Sequence, residues 1–152
     1  MADWGEICEN ITIWNYNTNF RNYLLPCPNL RVIEPNVRHF VANNAKGIFM
    51  QAAGNAMGAE LSDLRNYIIA NLLGDPTRNG QELQDEFLTL HYREAAPQIR
   101  RFINLAHDRA EASGLHKNCF GRAHHYGADE SLAQEGLECF ASVKVDTTLC
   151  LV

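Results

Sequence analysis

The chain has 152 residues, enough for one domain with a sizeable core, and its 46% hydrophobic and 20% charged residues are typical of a soluble globular protein. The net charge of −5 and the sparse basic residues argue against nucleic acid and anionic membranes as its main partners. The sequence contains no apolar run near the ~20 residues that a membrane helix needs, so it predicts no membrane span.

The chain carries no visible export or disulfide signature. Its first residues, "MADWGEICEN", lack the basic start and apolar core of a secretory signal. The five cysteines are an odd number and form no C-x-x-C pair, which favours free thiols over a disulfide framework or a zinc knuckle.

A short helix and a strand open the chain. The apolar spacing in "DWGEICEN" predicts the last turns of a helix, and "ITIWNY" predicts a strand over Ile11–Tyr16 because β-branched and aromatic residues suit a half-buried pleated surface. The loop "NTNFRNYLLPCPNLR" follows, with Pro26 and Pro28 interrupting it. Its length and its Phe20 and Tyr23 favour a functional loop over a disordered one.

The next segments repeat the order of strand, loop and helix. "IEPNVRHFVANNA" predicts a helix with Pro35 near its first turn, and "KGIFMQ" predicts a strand over 47–51. Apolar residues spaced by three and four predict a further helix over 60–73. This βαβα order predicts two parallel strands with covering helices, and therefore an α/β fold over residues 1–78.

The second half of the chain is predicted to be a helical extension over 79–141, packed on the first part. The segments "NGQELQDEFLTLHY", "APQIRRFINLAHDRAEASG" and "ADESLAQEGLECFA" each place apolar residues on one helical face, and Asp129 is the expected N-cap of the last. The tail over 142–152 alternates polar and apolar residues, so it is predicted either to form a lone strand or to fray.

Four segments carry a resemblance to a known family. They are "DWGEICENITIWNYNTNFRNYLLPCPNL", "KGIFMQ", and "AELSDLRNYIIANLLGDP" followed by "ELQDEFLTLHY". In order and spacing they resemble the C-terminal part of a bacterial domain-of-unknown-function family related to glycoside hydrolases. Those proteins are similar to (β/α)8 barrels akin to alpha-glucuronidases and beta-hexosaminidases, in which a strand ending in W-x-Y and a last strand and helix ending in "LL-x-x-P" close the barrel.

The resemblance implies that the chain is a partial (β/α)8 barrel. Such a barrel needs ~250 residues and eight strands, so the two predicted strands would be the last two, followed by the helical extension. The chain would then be the C-terminal fragment of a larger enzyme-like protein. The resemblance implies an exported parent, periplasmic or extracellular, whose signal would lie upstream, so the sequence leaves localisation open.

The resemblance also implies a sugar site, because barrel enzymes build their sites at the carboxyl ends of the strands. Aromatic rings pack on the C–H face of a pyranose, and amides both donate to and accept from hydroxyl groups. The alternatives are structural roles: Trp14 would be a core aromatic, the asparagines would form turns, and Glu60 would interact with a helix dipole. The predicted substrate-binding residues are Trp14, Asn15, Tyr16, Asn17, Asn19, Gln51 and Glu60.

No catalytic residue, metal site or cofactor is predicted. Glycoside hydrolysis needs two carboxylates ~5 to 10 Å apart, and neither strand end carries one. The six histidines show no metal-ligand spacing. Cys27 adjoins no basic residue, so a packing thiol is favoured over a reactive one.

The sequence therefore predicts a carbohydrate-binding fragment of a glycoside-hydrolase-like protein that lacks a catalytic pair. Its expected partner is a glycan or a sugar containing uronic acid. The alternative is a non-catalytic, mostly helical module that binds another protein. Two parallel strands on their own would expose their edges and one apolar side, so self-association through the strands is also predicted.

Overall fold

The computed structural model describes residues 1–54, 57–115 and 118–143, and they form helices and one parallel strand pair. The predicted α/β class with parallel strands is confirmed. The tail predicted over 142–152 lies outside the described residues from residue 144 onward. The elements are α1 Ala2–Ile7, β1 Ile11–Tyr16, α2 Leu30–Ala42, β2 Ala45–Gln51, α3 Ser62–Gly74, α4 Gly80–Phe87, a π-helical turn Leu88–Tyr92, a 3₁₀ turn Arg93–Ala95, α5 Ala96–Ala112, a 3₁₀ turn Ala123–Tyr126 and α6 Glu130–Ala141.

β1 and β2 lie side by side with their carboxyl ends together. Trp14 is paired with Phe49, and Tyr16 is paired with Gln51. The pairing extends past β1, because the Asn17 backbone N–H donates to the Gln51 carbonyl at 2.8 Å. The register therefore places the last residues of both strands at one end of the sheet.

The helices cover one face of this sheet. Side chains alternate between the two faces of a strand, and in β1 they alternate between half-buried and exposed. On β2, Met50 packs against the hydrophobic core, which is formed by α2, α3, α4, the π-helical turn and α5. The opposite face carries the exposed residues, which include Trp14 and Phe49.

The core lies between helices that belong to both predicted parts of the chain. Leu64 and Leu72 of α3 are fully buried, as is Leu83 of α4, and Ile103 of α5 belongs to the same cluster. The boundary drawn at residue 78 therefore lies within one continuous apolar core.

The helix starts differ from the predictions where distant contacts decide them. α2 begins at Leu30, so Pro35 is inside the helix and not in its first turn. The Leu30 N–H donates to His107 Nε2 at 3.0 Å, which satisfies the helix start from 77 residues away. α3 begins at Ser62 and not at Glu60, because Leu61 has a left-handed φ of 47°.

Two further predictions concern the helical extension. The helix predicted from "NGQELQDEFLTLHY" ends as an α-helix at Phe87 and continues as the π-helical turn, where Leu88 is fully buried. The N-cap role of Asp129 is confirmed, since its side chain accepts a hydrogen bond from the Leu132 N–H at 2.8 Å.

Candidate functional site

The face of the sheet that the helices leave uncovered is rich in aromatic residues at the carboxyl ends of the strands. We call Trp14, Tyr16, Phe49 and Gln51 the open face. Trp14 is 65% exposed, Tyr16 is 51% exposed and Phe49 is 53% exposed. Strand alternation puts all four on one side, because Trp14 and Tyr16 lie two residues apart opposite Phe49 and Gln51.

Side-chain contacts within the open face fix its geometry. The Trp14 indole Nε1–H donates to Gln51 Oε1 at 2.7 Å, and the Trp14 and Phe49 rings meet edge to face with centroids 5.0 Å apart. Because an indole nitrogen can only donate, this bond sets which end of the Gln51 amide faces Trp14. The two N–H groups of Gln51 Nε2 therefore point away from Trp14.

The aromatic surface continues into the loop after β1. Phe20 contacts Tyr16 with ring centroids 5.4 Å apart and Tyr23 with centroids 5.9 Å apart, both edge to face. Phe120, from the segment before α6, lies 6.0 Å from Phe20. The loop thus adds apolar walls beside the strand ends.

Two clefts flank the ends of the strands. Cleft one, of about 620 Å³, contains four predicted residues and polar side chains from α2 and α5. Cleft two, of about 460 Å³, lies between the loop after β1, the end of β2 and the start of α3. The residues that we use below are Trp14, Asn15, Tyr16, Asn17, Arg31 and Glu111 in cleft one and Phe20, Tyr23, Phe49, Gln51, Ser62 and Asn66 in cleft two.

Among the predicted amides, Asn15 is half-buried beside cleft one, whereas Asn17 and Asn19 are buried in the protein's own contacts. Asn19 Nδ2 donates to the Gly121 carbonyl at 2.9 Å, and its Oδ1 accepts from the Arg21 N–H at 2.9 Å. Asn19 therefore anchors the loop after β1 to the segment before α6, and it lines neither cleft among the described residues.

Glu60 is held by a buried cation. Its carboxylate accepts from Arg65 Nη2 at 2.9 Å, and the Glu60 side chain is 15% exposed. Arg65 is 1% exposed and also donates to the carbonyls of Cys27 and Glu60 and to Asn29 Oδ1. This network joins the start of α3 to the proline-rich loop, and Glu60 lies outside the lining of both clefts.

The nearby titratable groups are held in neutral or paired forms. Burial raises the pKa of the Cys27 thiol to about 11, so it stays protonated near neutral pH. Burial lowers the pKa of His107, whose Nδ1–H donates to the Ile103 carbonyl at 2.8 Å. In cleft one, Arg31 pairs with Asp108 at 2.7 Å and with Glu111 at 3.0 Å.

The described residues contain neither a metal-binding cluster nor a membrane-spanning helix. Among the described residues, no group of three or more His, Cys, Asp or Glu side chains is placed to hold a metal ion. Within the same residues, no helix combines the length and apolarity needed to cross a membrane. His116 and Cys150 lie outside the described residues.

The structure adds site residues that the sequence reasoning missed. Phe49 belongs to the open face, and pairing the two predicted strands in parallel would have placed it opposite Trp14. Phe20 and Tyr23 were noted only as evidence of an ordered loop. Ser62 and Asn66 lie one turn apart at the start of α3, and no local sequence signal marks them as cleft residues.

One family model matches the chain, and it covers residues 1–104. It describes a domain of unknown function, DUF4838. The chain belongs to the DUF4838 family. No curated protein and no solved structure matches. The DUF4838 match includes both strands and all the described residues that line cleft two, whereas part of the lining of cleft one lies beyond it.

Proposed function

We propose that this DUF4838 chain is the closing part of a carbohydrate-binding, (β/α)8-barrel-like domain related to glycoside hydrolases, with the open face as one wall of the sugar site. The supporting observation is the combination of exposed aromatic rings and an oriented amide at the carboxyl ends of two parallel strands. The helices lie on the other face of the same strands.

The one-sided covering of the sheet supports a barrel. Parallel sheets occur almost only with both faces covered, whereas the helices of this protein cover one face. In a (β/α)8 barrel the helices form the outer layer and the other strand face points inward. The open face would then point into the barrel, at the end where barrel enzymes bind their ligands.

The chemistry of the open face suits a sugar. The rings of Trp14 and Phe49 offer apolar surface to the C–H face of a pyranose, and the Gln51 amide offers hydrogen bonds to hydroxyl groups. The Trp14–Gln51 bond holds ring and amide in one arrangement before any ligand arrives. Such preorganisation reduces the entropy lost on binding.

The size of the open face also favours a small ligand. Three aromatic side chains of 150–250 Å² each, exposed by the fractions above, leave about 250 to 420 Å² open. A stable protein interface buries about 800 Å² on each partner. The aromatic patch alone is therefore about a third to a half of the size that a protein partner needs.

Binding without hydrolysis is the activity proposed for this chain. A glycosidase needs two carboxylates flanking the bond, and Glu111 is the single carboxylate among the described residues that line the two clefts. Glu111 is paired with Arg31. The catalytic acids of the parent domain would come from βα units outside this chain.

The test is a fluorescence titration of the purified chain with neutral and uronic-acid oligosaccharides. Trp4 is the other tryptophan and is also exposed, so a Trp4→Phe background isolates the Trp14 signal. We expect a saturable change in Trp14 emission, loss of calorimetrically measured binding in Phe49→Ala, and no turnover of aryl glycosides. If no sugar binds, or if the chain hydrolyses an aryl glycoside, the proposal is wrong.

Self-association is a second candidate, and a backbone observation favours it. The Asn17 N–H points toward β2, so by alternation the backbone groups of Thr12, Trp14 and Tyr16 point away from it. The described residues place no strand against that edge. An unpaired strand edge is a template for a further strand. Sedimentation at increasing concentration tests this candidate, and a monomer throughout would contradict it.

A further inference from the structure

The described residues that line cleft two are uncharged, and all of them lie within the part of the chain that matches DUF4838. Phe20, Tyr23 and Phe49 form aromatic walls, while Gln51 and Asn66 supply amides. No described residue that lines it carries a formal charge at neutral pH.

We infer that cleft two binds an uncharged sugar residue and discriminates against uronic acids, with Gln51 and Asn66 contacting the hydroxyl groups. This inference rests on the proposed carbohydrate function and narrows its ligand class. Amides both donate and accept, as hydroxyl groups do, so they pair with a neutral sugar without leaving a charge uncompensated. A carboxylate in the same cavity would lose water without gaining a cation.

The start of α3 is the one feature that favours an anion. A helix N-terminus carries about half a positive charge, and Ser62 of the cleft is the first residue of α3. However, Asp63 places a full negative charge in the same turn. This carboxylate offsets the partial positive charge of the helix N-terminus, so the start of α3 supplies no net cation for an acidic sugar.

The nearest buried cation is already occupied. Arg65 is 1% exposed, pairs with Glu60 at 2.9 Å and donates to two backbone carbonyls. Its remaining contact is with Asn29, on the side of the proline-rich loop. Four of the five N–H groups of Arg65 are therefore engaged by protein acceptors, and Arg65 is not among the described residues that line cleft two.

Gln51 links cleft two to the open face. Its Oε1 accepts from the Trp14 indole, and the orientation of the amide leaves the Nε2 donors for other partners. Asn66 is exposed on α3, one turn after Ser62. The cleft thus presents one amide held by Trp14 and one exposed amide beside aromatic walls.

The experiment compares matched neutral and acidic oligosaccharides of equal linkage and length: glucan against glucuronan, mannan against mannuronan, and galactan against galacturonan. Binding to the purified full chain is measured by calorimetry at low and at high salt. We expect the neutral member of the pair that binds to be preferred by about tenfold or more, because the acid is desolvated without a cation.

A charge placed in the cleft sharpens the test. Asn66→Lys should raise the affinity for the uronic member about fivefold at low salt, and the gain should fall at high salt. Ala70→Lys is the matched control, because it adds the same charge one exposed turn further along α3. It should leave the preference unchanged.

Each outcome separates the two proposals. An acidic oligosaccharide that binds as tightly as its neutral partner overturns the inference about cleft two and leaves sugar binding standing. Equal effects of Asn66→Lys and Ala70→Lys also overturn it, since the charge effect would not be local. Absence of binding by every oligosaccharide overturns the carbohydrate proposal itself.

Discussion

The two faces of the same strand pair have opposite characters. On the covered face, Met50 packs against a core in which Val37 and Leu64 are fully buried. On the open face, Trp14 is 65% exposed although it is one of the largest side chains in the chain. The hydrophobic effect accounts for the covered face but opposes exposure of aromatic rings on the other. The difference suggests that the covered face provides stability and that the open face is kept for contact.

The comparison is tested most strongly by removing Arg65, the buried cation that joins the start of α3 to the proline-rich loop. Arg65→Met should lower the free energy of unfolding by about 3 to 5 kcal/mol, because the Glu60 carboxylate would stay largely buried without its partner. The measurement is urea unfolding, followed by the loss of helical circular dichroism in the far ultraviolet.

Arg78→Met is the matched control for Arg65→Met. Arg78 pairs with Glu86 through side chains that are 40% and 44% exposed, so the same substitution there should cost about 0 to 1 kcal/mol. Equal losses in the two variants would show that burial of the Arg65 network does not distinguish the covered side.

A smaller effect is expected at His107, the acceptor at the start of α2. His107→Ala should cost about 2 to 4 kcal/mol, because it leaves the Leu30 N–H unpaired and opens space in a buried site. His107→Gln keeps a polar side chain of similar reach, so a loss well below that of the alanine variant is expected. Both are measured by the same urea unfolding.

The lowered pKa of His107 also predicts that the free energy of unfolding depends on pH. Burial, with Arg31 and Arg65, lowers the pKa of His107 from its ordinary 6.5, and Glu111 and the Ile103 carbonyl oppose them. The unfolded chain therefore binds the proton more readily. The contribution of neutral His107 to the free energy of unfolding is fully present above pH 6.5 and is lost as the pH falls through the lowered pKa.

The measurement compares the urea midpoint near neutral pH with the midpoint at about pH 5. The native chain should lose stability over this range, and His107→Gln should lose less. Asp75 and Asp129 do not interfere, because their pKa values are lowered from 3.8 and their effects fall at more acid pH. The same slope in both proteins would show that His107 is not the group responsible.

Local patterns were enough to predict the elements that local forces decide. Strand β1 was predicted at its observed bounds, since its β-branched and aromatic residues lie within six consecutive positions. The Asp129 side chain accepts from the N–H three residues ahead, so its N-cap role could be predicted from the local sequence. The start of α2 was mispredicted, because its first N–H is satisfied by His107, which no pattern near Leu30 reveals.

The candidate site also contains features that the local sequence predicts and features that distant contacts decide. The aromatic and amide residues at the end of β1 predicted a site at the carboxyl ends of the strands. The register of the two strands then brings Trp14 next to Gln51. One side-chain bond of Asn19 reaches a backbone carbonyl 102 residues away, and Glu60 pairs with Arg65 across the left-handed turn at Leu61. Sequence reasoning identified the region, while tertiary contacts decide which of its polar groups stay accessible.

The smallest effect on stability should come from the open face itself. Trp14→Ala removes an exposed ring, one exposed hydrogen bond and one edge-to-face contact with Phe49, so it should cost less than about 1 kcal/mol. Leu72→Ala, on the covered side, removes a smaller side chain that is fully buried and should cost about 2 to 5 kcal/mol. Urea unfolding of both variants compares the two faces directly. A Trp14→Ala loss as large as that of Leu72→Ala would mean that the open face contributes to the core, and its exposure would then no longer argue for a ligand.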